Sequence, residues 1–167
     1  MEESAFAALY QATFPALWAY VAKGVREGSV ADDITQEAYV RLLTANTSRL
    51  DAPQVKAYLY RIATNLMHDH WRQSGREVQD DEAALERPDR RSDERLDLRL
   101  DVNEAFDQLS PSQQTLLWLA YVEGYGHRDI AGMMKVREKS VRVLLFRARS
   151  RLGDLLRHMG IERGDGR

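Results

Sequence analysis

Apolar residues recur along the first seventy positions at intervals of three and four, the period of an amphipathic helix rather than of a strand. Phe6, Leu9, Tyr10 and Thr13 trace a first face, and Pro15 then suits the first turn of a new helix, where its missing N–H costs nothing. Leu17, Trp18, Val21 and Val25 carry that second helix to Gly28. A third starts near Ala31 with Asp32 and Asp33 at its positive end, aligns Ile34, Ala38 and Leu42, and stops at the polar run 44–48. Asp51, Ala52 and Pro53 have the form of a helix start. Behind them Val55, Tyr58, Leu59, Ile62, Leu66 and His70 extend an apolar stripe that ends by Gly75.

Between Gly75 and Arg99 the period is lost, acids dominate and aromatics are absent, so this stretch cannot bury enough surface to fold alone. Periodicity resumes with Val102, Ala105, Phe106 and Leu109, and Ser110 and Pro111 then restart a helix as N-cap and first-turn residue. Helices are expected over roughly 101–108, 111–123, 127–134 and 138–157. The pattern predicts an all-α protein of two small helical domains, 1–74 and 101–160, joined by a flexible acidic linker over 75–100 and followed by a short tail, 161–167.

Composition narrows the function classes. Hydrophobic residues at 44% and charged residues at 30% describe a globular chain with apolar surface for modest cores. There is no apolar run of membrane-spanning length and the N-terminus is acidic, so a cytoplasmic protein is expected. With no cysteine, disulfides, thiolate metal sites and cysteine nucleophiles are excluded. The net charge of −2 argues against a nucleic-acid binder until it is divided along the chain. From Arg137 to Arg151 there are six basic residues (Arg137, Lys139, Arg142, Arg147, Arg149, Arg151) and one acid, Glu138, the one stretch capable of a strong anion-binding face.

That stretch coincides with the sharpest motif. Residues 127–134 form a short helix whose Ile130, Ala131 and Met134 can pack inward, Lys135 to Arg137 form a turn, and Val141, Leu144, Leu145 and Ala148 supply the buried face of the helix that follows. Val136 and Val141 would lock the pair as a helix-turn-helix. Arg137, Lys139, Ser140, Arg142 and Val143 then lie at the N-terminal end of the second helix, the end that enters a major groove. Arginine and lysine can pair with guanine O6 and N7, while Ser140, Arg147 and Arg149 could hold phosphates without reading sequence.

Several runs stand in order along the chain: Asp32 to Leu42 (DDITQEAYVRL) and Ala57 to Arg72 (AYLYRIATNLMHDHWR) in the first block, then Leu109 to Gln114 (LSPSQQ), Glu123 to Tyr125 (EGY), Asp129 to Ala131 (DIA), Ser140 to Arg142 (SVR) and Arg147 to Leu152 (RARSRL) in the second. Together they resemble the sigma-70 family of bacterial RNA polymerase sigma factors, and within it group IV, the extracytoplasmic-function (ECF) type. The first run looks like sigma region 2.2, the next like the helix after it, and the runs of the second block like sigma region 4. The resemblance covers nearly the whole chain. It implies a non-enzymatic factor without cofactor or metal, whose partners are core polymerase (β′ clamp helices and β flap), promoter DNA and an anti-sigma factor.

Carried over by position, the resemblance implies that Asp33, Gln36, Glu37 and Arg41 face β′. Asp33 and Glu37, four apart, share one helix face and offer paired carboxylates to a basic partner. It also implies that the helix from Val55 to Arg72 opens and reads the minus-10 element, with Tyr58, Tyr60, Arg61, Asn65, Trp71 and Arg72 supplying aromatic, amide and guanidinium groups for a single strand. Asn65 is the foremost of these, since an amide can bond the polar edge of a flipped base. Tyr58 and Trp71 suit the inside of a bundle equally well. Arg137, Lys139, Ser140, Arg142, Val143, Arg147 and Arg149 would meet the minus-35 duplex. The acids Asp80, Asp81, Glu82, Glu86, Asp89 and Asp93 resemble a segment threading toward the polymerase channel, and fit a solubilising linker equally.

The sequence departs from the family pattern in places. No aromatic stands between Thr47 and Asp51, Lys135 occupies the usual turn glycine, and Leu144 a commonly basic position. Two other function classes compete. A stand-alone helix-turn-helix regulator would bind duplex DNA without polymerase. A helical enzyme would need a site that the four histidines, scattered over both blocks, and the absence of a glycine-rich phosphate loop do not supply.

Overall fold

A computed structural model of the chain describes residues 1–75 and 102–160. The first block holds α1 (Glu3–Val25), α2 (Gly28–Thr44) and α3 (Ala52–Gln73). The second holds α4 (Val102–Asp107), α5 (Pro111–Leu117) continued by a π-helical turn (Trp118–Val122), α6 (His127–Met134) and α7 (Glu138–His158). The fold is all-α, with no strand among the described residues. The linker expected over 75–100, apart from Gly75, lies outside them, as does the tail over 161–167.

The expected break at Pro15 is absent: α1 runs through it as one 23-residue helix. Proline inside a helix removes one bond and crowds the preceding turn, a cost of roughly 3 kcal/mol. Tertiary contacts on both sides offset it. Thr13 bonds the Leu9 carbonyl at 2.7 Å and the buried Tyr39 hydroxyl of α2 at 2.6 Å, while Leu17, Tyr20, Val21, Gly24 and Val25 bury the C-terminal half. Arg26, in the left-handed region at φ 63°, ends the helix, and α2 starts three residues before the expected Ala31.

Local chemistry fixes other boundaries as read from the sequence. Asp51 and Gln54 form a reciprocal capping box, 2.9 Å each way, with Pro53 in the first turn of α3. Ser110 and Gln113 repeat the device ahead of Pro111 in α5. The single helix expected over 111–123 instead changes to a π turn at Trp118, closed by Glu123 N donating to Trp118 O at 3.0 Å. The extra residue rotates the chain and leaves Tyr121 and Val122 on the surface.

Each block has an apolar interior, and the two interiors meet. α3 packs on α6 and α1 on α5, so that Tyr20, Tyr60, Trp118 and Tyr125 lie within one aromatic group, Tyr20 and Trp118 with ring centroids 6.2 Å apart.

Candidate nucleic-acid interface

Three surfaces hold the residues that the sequence singles out. On α2, Ala31, Ile34, Ala38 and Leu42 turn inward, which leaves Asp33, Gln36, Glu37 and Arg41 together on the opposite, exposed face. Arg41 Nε donates to Glu37 Oε1 at 2.9 Å along the helix, an exposed pair worth only a few tenths of a kcal/mol, about 0.3–0.5. Val40 and Leu43 are exposed on the same surface, 54% and 45%. They add an apolar contribution that was missed, although both fall off the buried 34–38–42 stripe and were findable for that reason. Neighbouring Asp32 is engaged by the Trp18 indole N–H at 2.7 Å.

On α3 the six predicted residues separate into two sets. Tyr58, Arg61, Asn65, Asp69 and Arg72 recur every three or four residues along one stripe, on which Asn65 is half-buried, the others are exposed, and Asp69 forms an ion pair with Arg72. Tyr60 and Trp71 point the other way and are fully buried. Trp71 donates its indole N–H to Gly24 O at 2.9 Å, and the Tyr60 hydroxyl donates to Glu123 Oε1 at 2.7 Å. Burial, then the hydrogen bond to Glu123, holds the Tyr60 hydroxyl well above the ordinary phenol range. In this arrangement neither ring has a face free for stacking on a base. Tyr58, placed on the apolar stripe by its spacing, is at the surface, and Asn65 carries a buried Oδ1 with no hydrogen-bond partner among the described residues.

The helix-turn-helix forms from the expected residues. Ile130, Ala131, Met133 and Met134 of α6 face Val141, Leu144, Leu145 and Ala148 of α7. Lys135 makes the turn in the left-handed region at φ 58°, ψ 42°, where a glycine would pass without strain. Arg137, Lys139, Arg142, Val143 and Arg149 are exposed and Arg147 is half-buried. Ser140 is not at the outer end as expected. One turn into α7 it falls on the inward side and is 6% exposed. Phe146, 62% exposed on the outward stripe with Lys139, Arg142, Val143 and Arg149, was missed because an aromatic inside an apolar-looking run reads as core. Arg149 donates to the Tyr121 hydroxyl, which links the π turn to this face.

Among the described residues no group of three or more His, Asp or Glu is set to hold a metal ion, and no helix is long and apolar enough to cross a membrane.

Two family models match the chain: Sigma-70 region 2 over residues 9–77 and Sigma-70, region 4 over residues 99–152. Similar curated proteins include RNA polymerase sigma-H factor of Pseudomonas aeruginosa, 29% identical over 150 residues, covering 81% of this chain and 78% of the relative. The ECF RNA polymerase sigma factor EcfG of Rhodopseudomonas palustris is 28% identical over 154 residues, covering 90% and 84%. RNA polymerase sigma factor CarQ of Myxococcus xanthus is 23% identical over 163 residues, covering 96% and 94%. Among solved structures, the sigma factor RpoE of Bartonella quintana, crystallised with the anti-sigma factor NepR, shares the fold at TM-score 0.66 and 24% identity, covering 91% of this chain and 96% of that one.

Proposed function

From the premise that this chain belongs to the sigma-70 family, as an ECF sigma factor that directs RNA polymerase to promoters, we propose how its surfaces divide the work. The first block, 1–74, docks on core polymerase through Asp33, Gln36, Glu37 and Arg41 and holds melted minus-10 DNA along Tyr58, Arg61, Asn65 and Arg72. The second, 101–160, reads the minus-35 duplex with the outward face of α7. Core polymerase carries out the chemistry, and the factor contributes recognition and strand opening. The stand-alone regulator is not favoured, because the first block matches sigma region 2 rather than a ligand-sensing domain.

The observation that carries this reading is the outward stripe of α7. Lys139, Arg142 and Arg149 alternate there with Val143 and Phe146, which joins phosphate and guanine partners to groups that can pack on a thymine methyl. On α2, paired carboxylates beside exposed Val40 and Leu43 fit a basic, partly apolar helical partner. On α3, the Asn65 amide oxygen, desolvated yet unbonded, suits a group held ready for a base edge. An anti-sigma partner covering these faces is part of the proposal, supported by the fold shared with a sigma factor crystallised with one.

The test is in vitro transcription from a pool of host genomic fragments using sigma-free core polymerase with and without the protein. Discrete start sites that need the protein, preceded by shared minus-10 and minus-35 elements, are expected. Duplex binding without core and no initiation with it would overturn the proposal.

A further inference from the structure

The π turn moves one tyrosine from an inner line to the surface. Gln114 and Leu117 of α5 are buried, and an unbroken α-helix would carry their inward line on to Tyr121, seven positions after Gln114. The wider turn over Trp118–Val122 breaks that line, and Tyr121 is instead 58% exposed. Its hydroxyl accepts a hydrogen bond from Nη1 of Arg149, on the outward stripe of α7.

The chemistry of this pair differs from that of the other exposed arginines bonded to side chains. Arg41, Arg72 and Arg157 are each paired with a carboxylate of their own helix, Glu37, Asp69 and Asp154 in turn, which offsets their charge. Arg149 is held by a neutral acceptor from another element, so its position is restrained while its charge stays undiminished. A tyrosine hydroxyl that accepts from arginine still has its own proton to donate. The pair therefore presents two kinds of donor, guanidinium N–H and phenol O–H, side by side on the surface.

Placement decides what they meet. Arg149 lies three turns into α7, about 16 Å along the axis from Glu138 at 1.5 Å per residue. The major groove is about 12 Å wide. With the N-terminal end of α7 in the groove, position 149 is level with the sugar-phosphate backbone at its edge, beyond the bases.

We propose that Tyr121 and Arg149 form a phosphodiester clamp, in which Tyr121 both holds the guanidinium in place and donates its own hydroxyl proton to the same minus-35 phosphate. This rests on the reading of α7 as the helix that meets the minus-35 duplex. It extends the DNA-binding surface from α7 onto the π turn. Tyr121 fixes register without reading sequence, since phosphate oxygens are alike at every base pair.

The test uses holoenzyme reconstituted from the full-length protein and sigma-free core, with promoter duplexes that differ in the minus-35 element. Tyr121→Phe, which removes the hydroxyl and keeps the ring, should weaken binding about three- to tenfold on every sequence alike. Its thermal midpoint should match the parent's, and its salt slope should too, because no cation is lost. In an Arg149→Ala background the same substitution should cost less than about twofold, since the two residues act on one phosphate. Replacing single phosphates by neutral methylphosphonates should reveal one backbone position that weakens the parent and leaves the double variant unaffected. Parental affinity in Tyr121→Phe, a loss additive with Arg149→Ala, or a loss confined to one minus-35 sequence would each overturn the clamp. So would a lowered thermal midpoint with DNA affinity intact, which would make Tyr121 a brace between the π turn and α7. Specific initiation by the parent holoenzyme decides the promoter reading by itself, so failure of the clamp leaves that reading standing.

Discussion

Trp71 donates its indole N–H to the carbonyl oxygen of Gly24 across the first bundle, and the same glycine leaves the space into which Met67 packs. A Cβ at position 24 would stand 2.2 Å from Met67 Cε and 3.4 Å from Trp71 Cζ2. Met67 is fully buried, so its methyl has little room to withdraw. Gly24→Ala should therefore destabilise the protein by about 1–3 kcal/mol, the usual cost of overpacking. Gly153→Ala in α7, where an added Cβ meets nothing nearer than 3.7 Å, should instead gain roughly 0.5–1 kcal/mol from helix propensity. Urea unfolding midpoints check both. Equal midpoints for the two variants would refute the tight α1–α3 crossing.

The division of α3 into an inner and an outer set makes a second contrast. Asn65→Ala should slow open-complex formation by the holoenzyme at least tenfold, because the amide's role is to bond a base extruded from the stack. Its stability should hold or rise, since the buried Oδ1 has no partner among the described residues to lose. Trp71→Phe should do the reverse: it forfeits the bond to Gly24 and lowers stability by about 1–3 kcal/mol, with melted-strand binding unchanged once folded. Permanganate footprinting of the minus-10 region, paired with thermal unfolding, separates the two. An opening defect in Trp71→Phe at full stability would return that indole to the DNA.

Direct readout and phosphate anchoring separate on α7. Arg142→Ala in the holoenzyme should cost about 1–3 kcal/mol on the preferred minus-35 sequence and much less on mismatched ones, flattening the preference. Arg149→Ala should weaken all sequences alike and reduce the salt slope by about one. Phe146→Ala should weaken binding without destabilising the fold, because 62% of that residue is exposed. Competition binding over a minus-35 library at two ionic strengths provides the readout. A uniform loss for Arg142→Ala would make it a phosphate contact.

What the sequence made legible follows from which forces are local. Helix starts at Asp51 and Ser110 are set by side chains three residues away, and the buried face of α7 by its period, so those are readable from the chain alone. The continuity of α1 through Pro15 did not, because Thr13, Tyr39 and Leu17 offset a local breaker through contacts that no window of α1 contains. The site was legible as residue types and faces but not as partners. Tyr60 and Trp71 were named for an aromatic role, and only packing reveals that one is held by Glu123, 63 positions away, and the other by Gly24. Ser140 left its expected outer side, and Phe146 was assigned to no face, for a related reason: polarity does not determine which face of a helix a residue occupies, whereas position in the turn does.

The turn of the helix-turn-helix couples to acidity through His68. That imidazole is 1% exposed, its ring lies 5.1 Å from Trp71, and its pKa is lowered to about 4, first by burial and then by the Lys135 and Arg72 cations, with Asp69 opposing. In the unfolded chain it titrates near 6.5, so between these values the unfolded state binds more protons than the folded one. Stability is therefore intact above pH 6.5 and falls as pH drops toward 4, by roughly 3 kcal/mol in all from this group. Lys135→Gly makes a sharp probe, since it acts twice. It relieves the left-handed strain at φ 58°, worth about 1 kcal/mol at neutral pH, and it removes a cation facing His68. The variant should be more stable at pH 7 and lose less on acidification, because the folded-state pKa of His68 moves back toward its ordinary value. Denaturant titrations at pH 7.5, 6 and 5 measure both effects, and His68→Gln should abolish the added acid sensitivity. An acid loss of parental size in Lys135→Gly would show that Lys135 does not face His68 closely enough to matter.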